Sequence, residues 1–169
     1  KYHINAVKLR GDAFPNAFEA VLEPNMLDPS LLQSNAEFIR QKKIVNHYIE
    51  QTKSYKSFSD NTIPILNKRL SVLGPDSELV KGAIAGAQNQ NMKQKATMES
   101  LIKTHLALGN NILSILDILQ NNKNNWVYEQ SQLEFDSDEL IEEFNIHYNT
   151  MIQNAQQVDI LSEKLIEKL

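Results

Sequence analysis

Apolar positions recur at spacings of three and four over most of this chain, a pattern that predicts long amphipathic helices. Leu32, Phe38, Ile39, Val45, Tyr48, Ile49, Thr52 and Tyr55 mark one face of a first long helix, with Arg40, Lys42, Lys43, Glu50 and Lys53 largely outside it. Asp28-Pro29 reads as its start, a capping carboxylate followed by proline at the first helical position. The pattern stumbles at Ser57-Phe58-Ser59-Asp60-Asn61, and Pro64 follows, which predicts a kink or break near residues 58–63. Ile63, Leu66, Leu70 and Leu73 then resume the apolar face.

Leu73-Gly74-Pro75-Asp76 divides the chain. Gly74 can take the left-handed conformation that closes a helix, Pro75 cannot continue one, and Asp76 offers a carboxylate to the free N–H groups of the next. The stretch is therefore expected to be the tip of an antiparallel helical hairpin. The second arm, from about Asp76 to Gln120, would extend roughly 65 Å. Its first turns are small (Gly82, Ala83, Ala85, Gly86, Ala87), which allows close approach of a neighbouring helix or local flexibility. Its last turns, Leu106 to Leu119, are bulky and apolar almost all round, so they should be the best-buried part.

The ends of the chain are patterned less regularly. Tyr2, Ile4, Val7 and Leu9 suggest an extended N-terminal arm stopped by Gly11. Asn16 is placed to cap a short helix, Ala17 to Leu22, that offers Phe14, Phe18 and Leu22 to a core; Pro24 and Pro29 bracket a turn. After the asparagine run 121–125 come two β-type stretches, Trp126-Val127-Tyr128-Glu129 and Gln132-Leu133-Glu134-Phe135, around Gln130-Ser131. They predict a small β-hairpin, although Gln-Ser lacks the Gly or Asn that two-residue turns favour. Asp136 followed by Glu139 has the form of a capping box. Leu140, Ile141, Phe144, Tyr148, Met151, Ile152, Ala155, Val158, Leu161, Leu165 and Ile166 then mark a third long helix. The expected architecture is an all-α, elongated antiparallel bundle of three main helices, with a short N-terminal helix and a β-hairpin before the last helix, in one domain spanning residues 1–169.

Composition narrows the function classes. The net charge of −4 comes from 17 basic and 21 acidic residues mixed along the chain, with no basic stripe to grip nucleic acid. No apolar run is long enough to span a membrane. Cysteine is absent, which removes disulfides, thiol catalysis and Cys-based zinc sites. A chain that begins at Lys1 leaves room for a removed signal or lipoprotein segment as a membrane anchor.

Candidate chemistry is sparse. None of His3, His47, His105 and His147 follows a glutamate at the spacing a di-iron bundle needs, so no metal is expected; Glu143 and His147 merely share a helix face. His105-Leu106-Ala107-Leu108-Gly109 has a faint likeness to a histidine-phosphotransfer motif, but Leu108 stands where that motif carries lysine, so His105 reads better as a packing histidine. Gly82 and Gly86 have the spacing of a close-packing motif and no phosphate-loop lysine after them. Asp117, among Ile115, Leu116, Ile118 and Leu119, reads as the exposed line of its helix. Trp126, Tyr128 and Phe135 either plug the open end of the bundle or line a pocket. Trp126, Tyr128, Tyr48 and Tyr55 are the candidate binding residues.

Leu119-Gln120-Asn121-Asn122-Lys123, the β-like run Val127 to Phe135, Asp136-Ser137-Asp138-Glu139-Leu140 and the Gln153-Asn154-Ala155-Gln156-Gln157 stretch together resemble the YiaF-like group of uncharacterised bacterial lipoproteins. The resemblance covers the last third of the chain and, in layout, the middle. It implies an envelope-anchored helical protein with no established activity, and it supplies no active-site residues; no lipobox cysteine is present in this chain. The expectation is a non-catalytic interaction or scaffolding protein without cofactor, periplasmic or envelope-associated, with a protein as partner; the cytoplasm stays open. The alternative is an extracytoplasmic ligand-sensing bundle.

Overall fold

The computed structural model describes residues 13–23, 25–70, 72 and 77–167. Among them are four helices: α1 (residues 13–22), α2 (Asn35–Leu70), α3 (Glu78–Asn121) and α4 (Asp138–Ile166). A two-stranded antiparallel sheet, β1 (Trp126–Glu129) and β2 (Gln132–Phe135), stands between α3 and α4. The fold is all-α with a small hairpin, as the pattern predicted. The N-terminal arm Tyr2 to Leu9 and the Gly74-Pro75 tip lie outside the described residues.

The longest helix, α3, is the spine. Its partner α2 runs antiparallel to it: Lys42 reaches Asp117 and Gln120 at one end, and Tyr48 meets His105 further along. On another side α4 is also antiparallel to α3, with His147 against Asn111 and Val158 and Leu161 packed with Leu101. Phe14 and Phe18 of α1 lie on Tyr48 and His105, so α1 bridges α2 and α3. The main core forms where α3 is bulkiest. Leu108, Ile112, Ile115, Leu116 and Leu119 pack there with Leu32, Phe38, Val45 and Tyr48. Toward the start of α3 burial thins, and Val80 is its one buried residue before Leu101.

Several local expectations are corrected. Asp28-Pro29 does not start α2. The Asp28 carboxylate accepts from the Ser30 N–H (2.9 Å) and hydroxyl (2.6 Å), and this side-chain turn holds the chain out of the helix. Helix α2 starts at Asn35, where Ser34 Oγ accepts the Glu37 N–H at 3.3 Å. There is no break at residues 58–63: α2 continues to Leu70 with Pro64 inside it. Asp60 and Pro64 are exposed, so water can take the carbonyl that Pro64 leaves without a helical donor. Asn16 is not a cap, because the chain is already helical at residue 13. Phe14 and Phe18 meet the core as expected, with Ala17 and Val21 buried beside them, but Leu22 is 52% exposed. Ile39 is likewise 63% exposed. For α4 the cap is Ser137, whose hydroxyl accepts from the Leu140 N–H, and not Asp136. The Asp136 N–H instead closes the hairpin on the Asn125 carbonyl at 2.9 Å.

The hairpin has the expected register, Trp126 opposite Phe135 and Tyr128 opposite Leu133. Alternation puts these four on one face, which packs on the main core. Trp126 is 6% exposed, and its indole N–H donates to the Leu119 carbonyl at 2.8 Å, near the end of α3. The aromatic plug is therefore what the structure contains. The turn is made without glycine: Gln130 and Ser131 hold φ of 51° and 63°, the left-handed pair that a two-residue hairpin loop demands.

The close approach open to Gly82 and Gly86 does not occur; a Cβ at either would meet nothing within 4 Å. It occurs at Gly109, where a Cβ would lie 2.7 Å from Ile49 Cγ1 and 3.3 Å from the Tyr48 ring. These positions should respond oppositely to substitution. Gly82→Ala and Gly86→Ala should each raise stability by about 0.5–1 kcal/mol through helix propensity alone. Gly109→Leu should lower it by about 1–3 kcal/mol by forcing α2 away from α3. Trp126→Ala should cost about 3–5 kcal/mol while the helical signal below the transition persists. Denaturant melts followed by circular dichroism measure all four.

Candidate functional site

The polar centre of the molecule is one hydrogen bond. The Tyr48 hydroxyl lies 2.6 Å from His105 Nδ1, joining α2 to α3. Tyr48 gets there because Gly109, one turn along α3 from His105, lets α2 come close. Phe14 and Phe18 of α1 stand edge-to-face with the imidazole, at centroid distances of 4.9 and 4.8 Å, and Tyr55 stacks on Phe14 at 5.0 Å. Burial pushes the His105 pKa down to about 4 and pushes the Tyr48 hydroxyl up, the Thr52 hydroxyl opposing the latter less strongly. Both groups are thus neutral at pH 7, and the phenol, the better donor, donates to the ring nitrogen. His105 is 3% exposed. A sealed, neutral, hydrogen-bonded histidine cannot receive a phosphoryl group from solvent. What it does is fix the register of three helices.

The other candidates disperse. His47 is exposed. His147 pairs with Asn111 instead of Glu143: Asn111 Nδ2 donates to the Ala107 carbonyl (2.8 Å), leaving Oδ1 to accept from His147 Nδ1 at 3.1 Å. Asp117 is on the exposed side of α3 and binds the half-buried Lys42, which also reaches Gln120 Oε1 at 2.5 Å. His3 lies outside the described residues. No group of three or more metal-ligating side chains occurs among the described residues. Of the four candidate binding residues, Tyr48 and Trp126 are buried and Tyr55 and Tyr128 half-buried. Among the described residues no ring contact links the α2 pair to the hairpin pair.

Tyr55 opens onto a cavity of about 530 Å³ between α2 and α3. Phe58, Met98 and Ile102 give it apolar walls, and the ion pairs Lys56–Asp60 (2.5 Å) and Lys95–Glu99 (3.9 Å) line it as well. Asp60, hydrogen-bonded to Lys56, holds that ammonium above its ordinary value. Tyr128, Val127 and Trp126 line a smaller recess of about 240 Å³ with Gln33 and Lys123.

The feature that sequence reasoning missed is how much of α4 stays exposed. This helix fully buries Leu140, Val158 and Leu161, yet it exposes Ile141, Ile146, Tyr148, Ile152, Ile160 and Ile166. Charge is also segregated. Helix α2 carries Arg40, Lys42, Lys43, Lys53, Lys56, Lys68 and Arg69 against Glu37, Glu50 and Asp60, a surplus of positive charge. Helix α4 carries Asp138, Glu139, Glu142, Glu143, Asp159 and Glu163 against Lys164 alone. None of those six carboxylates forms an ion pair among the described residues. A charge tally by helix, in place of one for the whole chain, would have found this.

Fold and site together define an all-α helical protein. Its one buried ionisable pair among the described residues is closed to solvent, and its last helix is apolar and acidic outside. No family model matches the chain, and no curated protein or solved structure matches it either. No helix among the described residues is long and apolar enough to cross a membrane.

The buried pair predicts a pH dependence. The folded-state pKa of His105 lies below its ordinary value of 6.5, so the unfolded chain binds the proton first as pH falls. The contribution of neutral His105 is complete above pH 6.5 and is lost progressively down to about pH 4, by about 3 kcal/mol at most. His105→Gln, which keeps an acceptor for Tyr48 but cannot titrate in this range, should show a flatter stability profile between pH 4 and 6.5. Urea melts of both proteins across that range give the difference.

Proposed function

We propose that this chain is a non-catalytic helical interaction or scaffolding protein of the bacterial cell envelope. The observation that carries the reading is the exposed surface of α4, which leaves six large apolar side chains uncovered, Ile141, Tyr148, Ile152 and Ile166 along one flank, and carries carboxylates that have no ion pair among the described residues. A helix that is apolar on both sides has a second surface to cover. The Tyr48–His105 pair is buried and occupied with packing three helices together. The envelope location is supported by the resemblance of the Leu119–Lys123, Val127–Leu140 and Gln153–Gln157 stretches to envelope lipoproteins.

A second reading, an extracytoplasmic ligand-sensing bundle, is favoured by the cavity beside Tyr55. Its volume of about 530 Å³ suits a small molecule, and its walls mix apolar and charged groups. A thermal-shift screen against metabolites separates the two. The interaction reading expects no shift. A ligand present at about a hundred times its Kd would add about 2.7 kcal/mol to the native state, or about 5–10 °C. Such a shift, lost in Tyr55→Ala, would establish the sensor and remove the interaction reading.

A further inference from the structure

We propose that the free edge of β1 takes up an extended, basic segment of a partner protein as a third strand. The inference rests on the interaction reading above and adds a second surface and the chemistry of the partner. The hairpin register decides which backbone groups are free. Glu129 and Gln132 flank the two-residue turn, so they form a hydrogen-bonded pair, and Val127 with Glu134 forms the next. The Asp136 N–H on the Asn125 carbonyl continues the same alternation. Trp126 and Tyr128 therefore turn their backbone N–H and C=O groups away from β2. Among the described residues no hydrogen bond reaches any of these groups. They are the pattern that a strand laid alongside would satisfy.

The edge is also open. The recess of about 240 Å³ is lined by every residue of β1 with Gln33 and Lys123, and by none of β2, so it runs along the free edge and not over the face of the sheet. Lys123 donates to the Gln33 carbonyl at 2.5 Å, which ties those two together. The β2 strand instead lies beside α4, with the Phe135 and Phe144 rings 5.1 Å apart. Within β1 stands neither lysine nor proline, the residues that commonly guard a strand edge. Charge selects the occupant. Val127, Glu129 and Glu134 are exposed on the outer face, and neither carboxylate has an ion pair among the described residues. A strand added beside β1 puts one side chain opposite Glu129 and another opposite Val127 on that face. Lysine or arginine suits the first, and a β-branched residue the second. A second copy of this chain would bring its own Glu129 and Glu134 to the same face, so a basic segment of another protein is the better match.

The test uses the whole chain and a fluorescein-labelled synthetic peptide of about eight residues, with threonine at every odd position and lysine and valine alternating at the even ones. Two further peptides carry backbone N-methyl groups, one on its threonines and the other on its lysines and valines. With lysine opposite Glu129, the threonine N–H groups point at β1 and the others point at solvent. Anisotropy should show binding of the parent peptide and of the one methylated on lysine and valine. Methylating the threonines should weaken binding at least about tenfold. Hydrogen exchange read by NMR should show the Trp126 and Tyr128 amides become protected at saturation. Glu129→Lys should weaken binding about threefold. Tyr128→Pro, which removes an outward N–H, should weaken it at least about tenfold beyond Tyr128→Ala, which loses the same side chain. The methylated peptides need no variant, so they decide the matter even where Tyr128→Pro unpairs the hairpin. Equal binding of the two methylated peptides overturns the proposal, as does no binding at about 1 mM peptide. A dimer in sedimentation that Tyr128→Pro dissolves and Tyr128→Ala does not gives the edge to a second copy and overturns it too. A metabolite shift lost in Tyr55→Ala removes the interaction reading itself, whereas indifference to the methylated positions removes this inference alone.

Discussion

The close approach of α2 to α3 at Gly109 is the constraint on which the rest of the molecule depends. Without a side chain there, Ile49 and Tyr48 can press against the α3 backbone, and only then does the Tyr48 hydroxyl reach His105. That bond in turn gives Phe14 and Phe18 a flat aromatic surface to cover, which places α1. Any larger residue at position 109 would have to displace Ile49, whose Cγ1 lies 2.7 Å from where a Cβ would stand. A buried histidine is expensive unless it is satisfied, and here one neutral hydrogen bond satisfies one of its ring nitrogens. The pair thus selects one register of α2 against α3 where apolar packing alone would tolerate a slide by a turn.

Much of this fold was legible in the sequence, and the reasons are local. Helix α3 and the hairpin had nearly correct bounds because the asparagine run 121–125 cannot extend an apolar face, and the alternation after it has a period of two. The misreadings share a cause: a residue type was assigned its usual role without its environment. Asp28 before Pro29 has the composition of a helix start, but its carboxylate is engaged by Ser30. Pro64 has the composition of a helix breaker, yet it is tolerated because its helix face is open to water at that turn. Gly82 and Gly86 have the spacing of a contact motif, whereas the contact belongs to the solitary Gly109. Spacing along one helix does not reveal what stands opposite.

The candidate site was less legible. That His105 packs was readable from its apolar neighbours; that Tyr48 is its partner was not, since the two are 57 positions apart. The net charge of −4 conveyed little, because the positive surplus of α2 and the negative surplus of α4 nearly cancel within it. Helices α2 and α4 flank the nearly neutral α3, so opposite fields emerge from different sides of the same narrow molecule. Such a molecule has an electric dipole as well as a charge, and approaching ions meet its sides differently.

The hairpin turn carries a consequence for how the molecule comes apart. Gln130 and Ser131 both sit in left-handed backbone, at about 1–2 kcal/mol each for residues with a Cβ. The strain is held in place by Trp126, through its burial and its bond to the Leu119 carbonyl. Once the indole leaves its seat, the pair keeps only the half-buried Tyr128, Leu133 and Phe135 against the core, and a hairpin of this length is marginal in water on its own. Residues 126–135 are therefore the segment expected to open together, ahead of the rest. Such an opening would uncover the end of α3 first and the Tyr48–His105 centre only later.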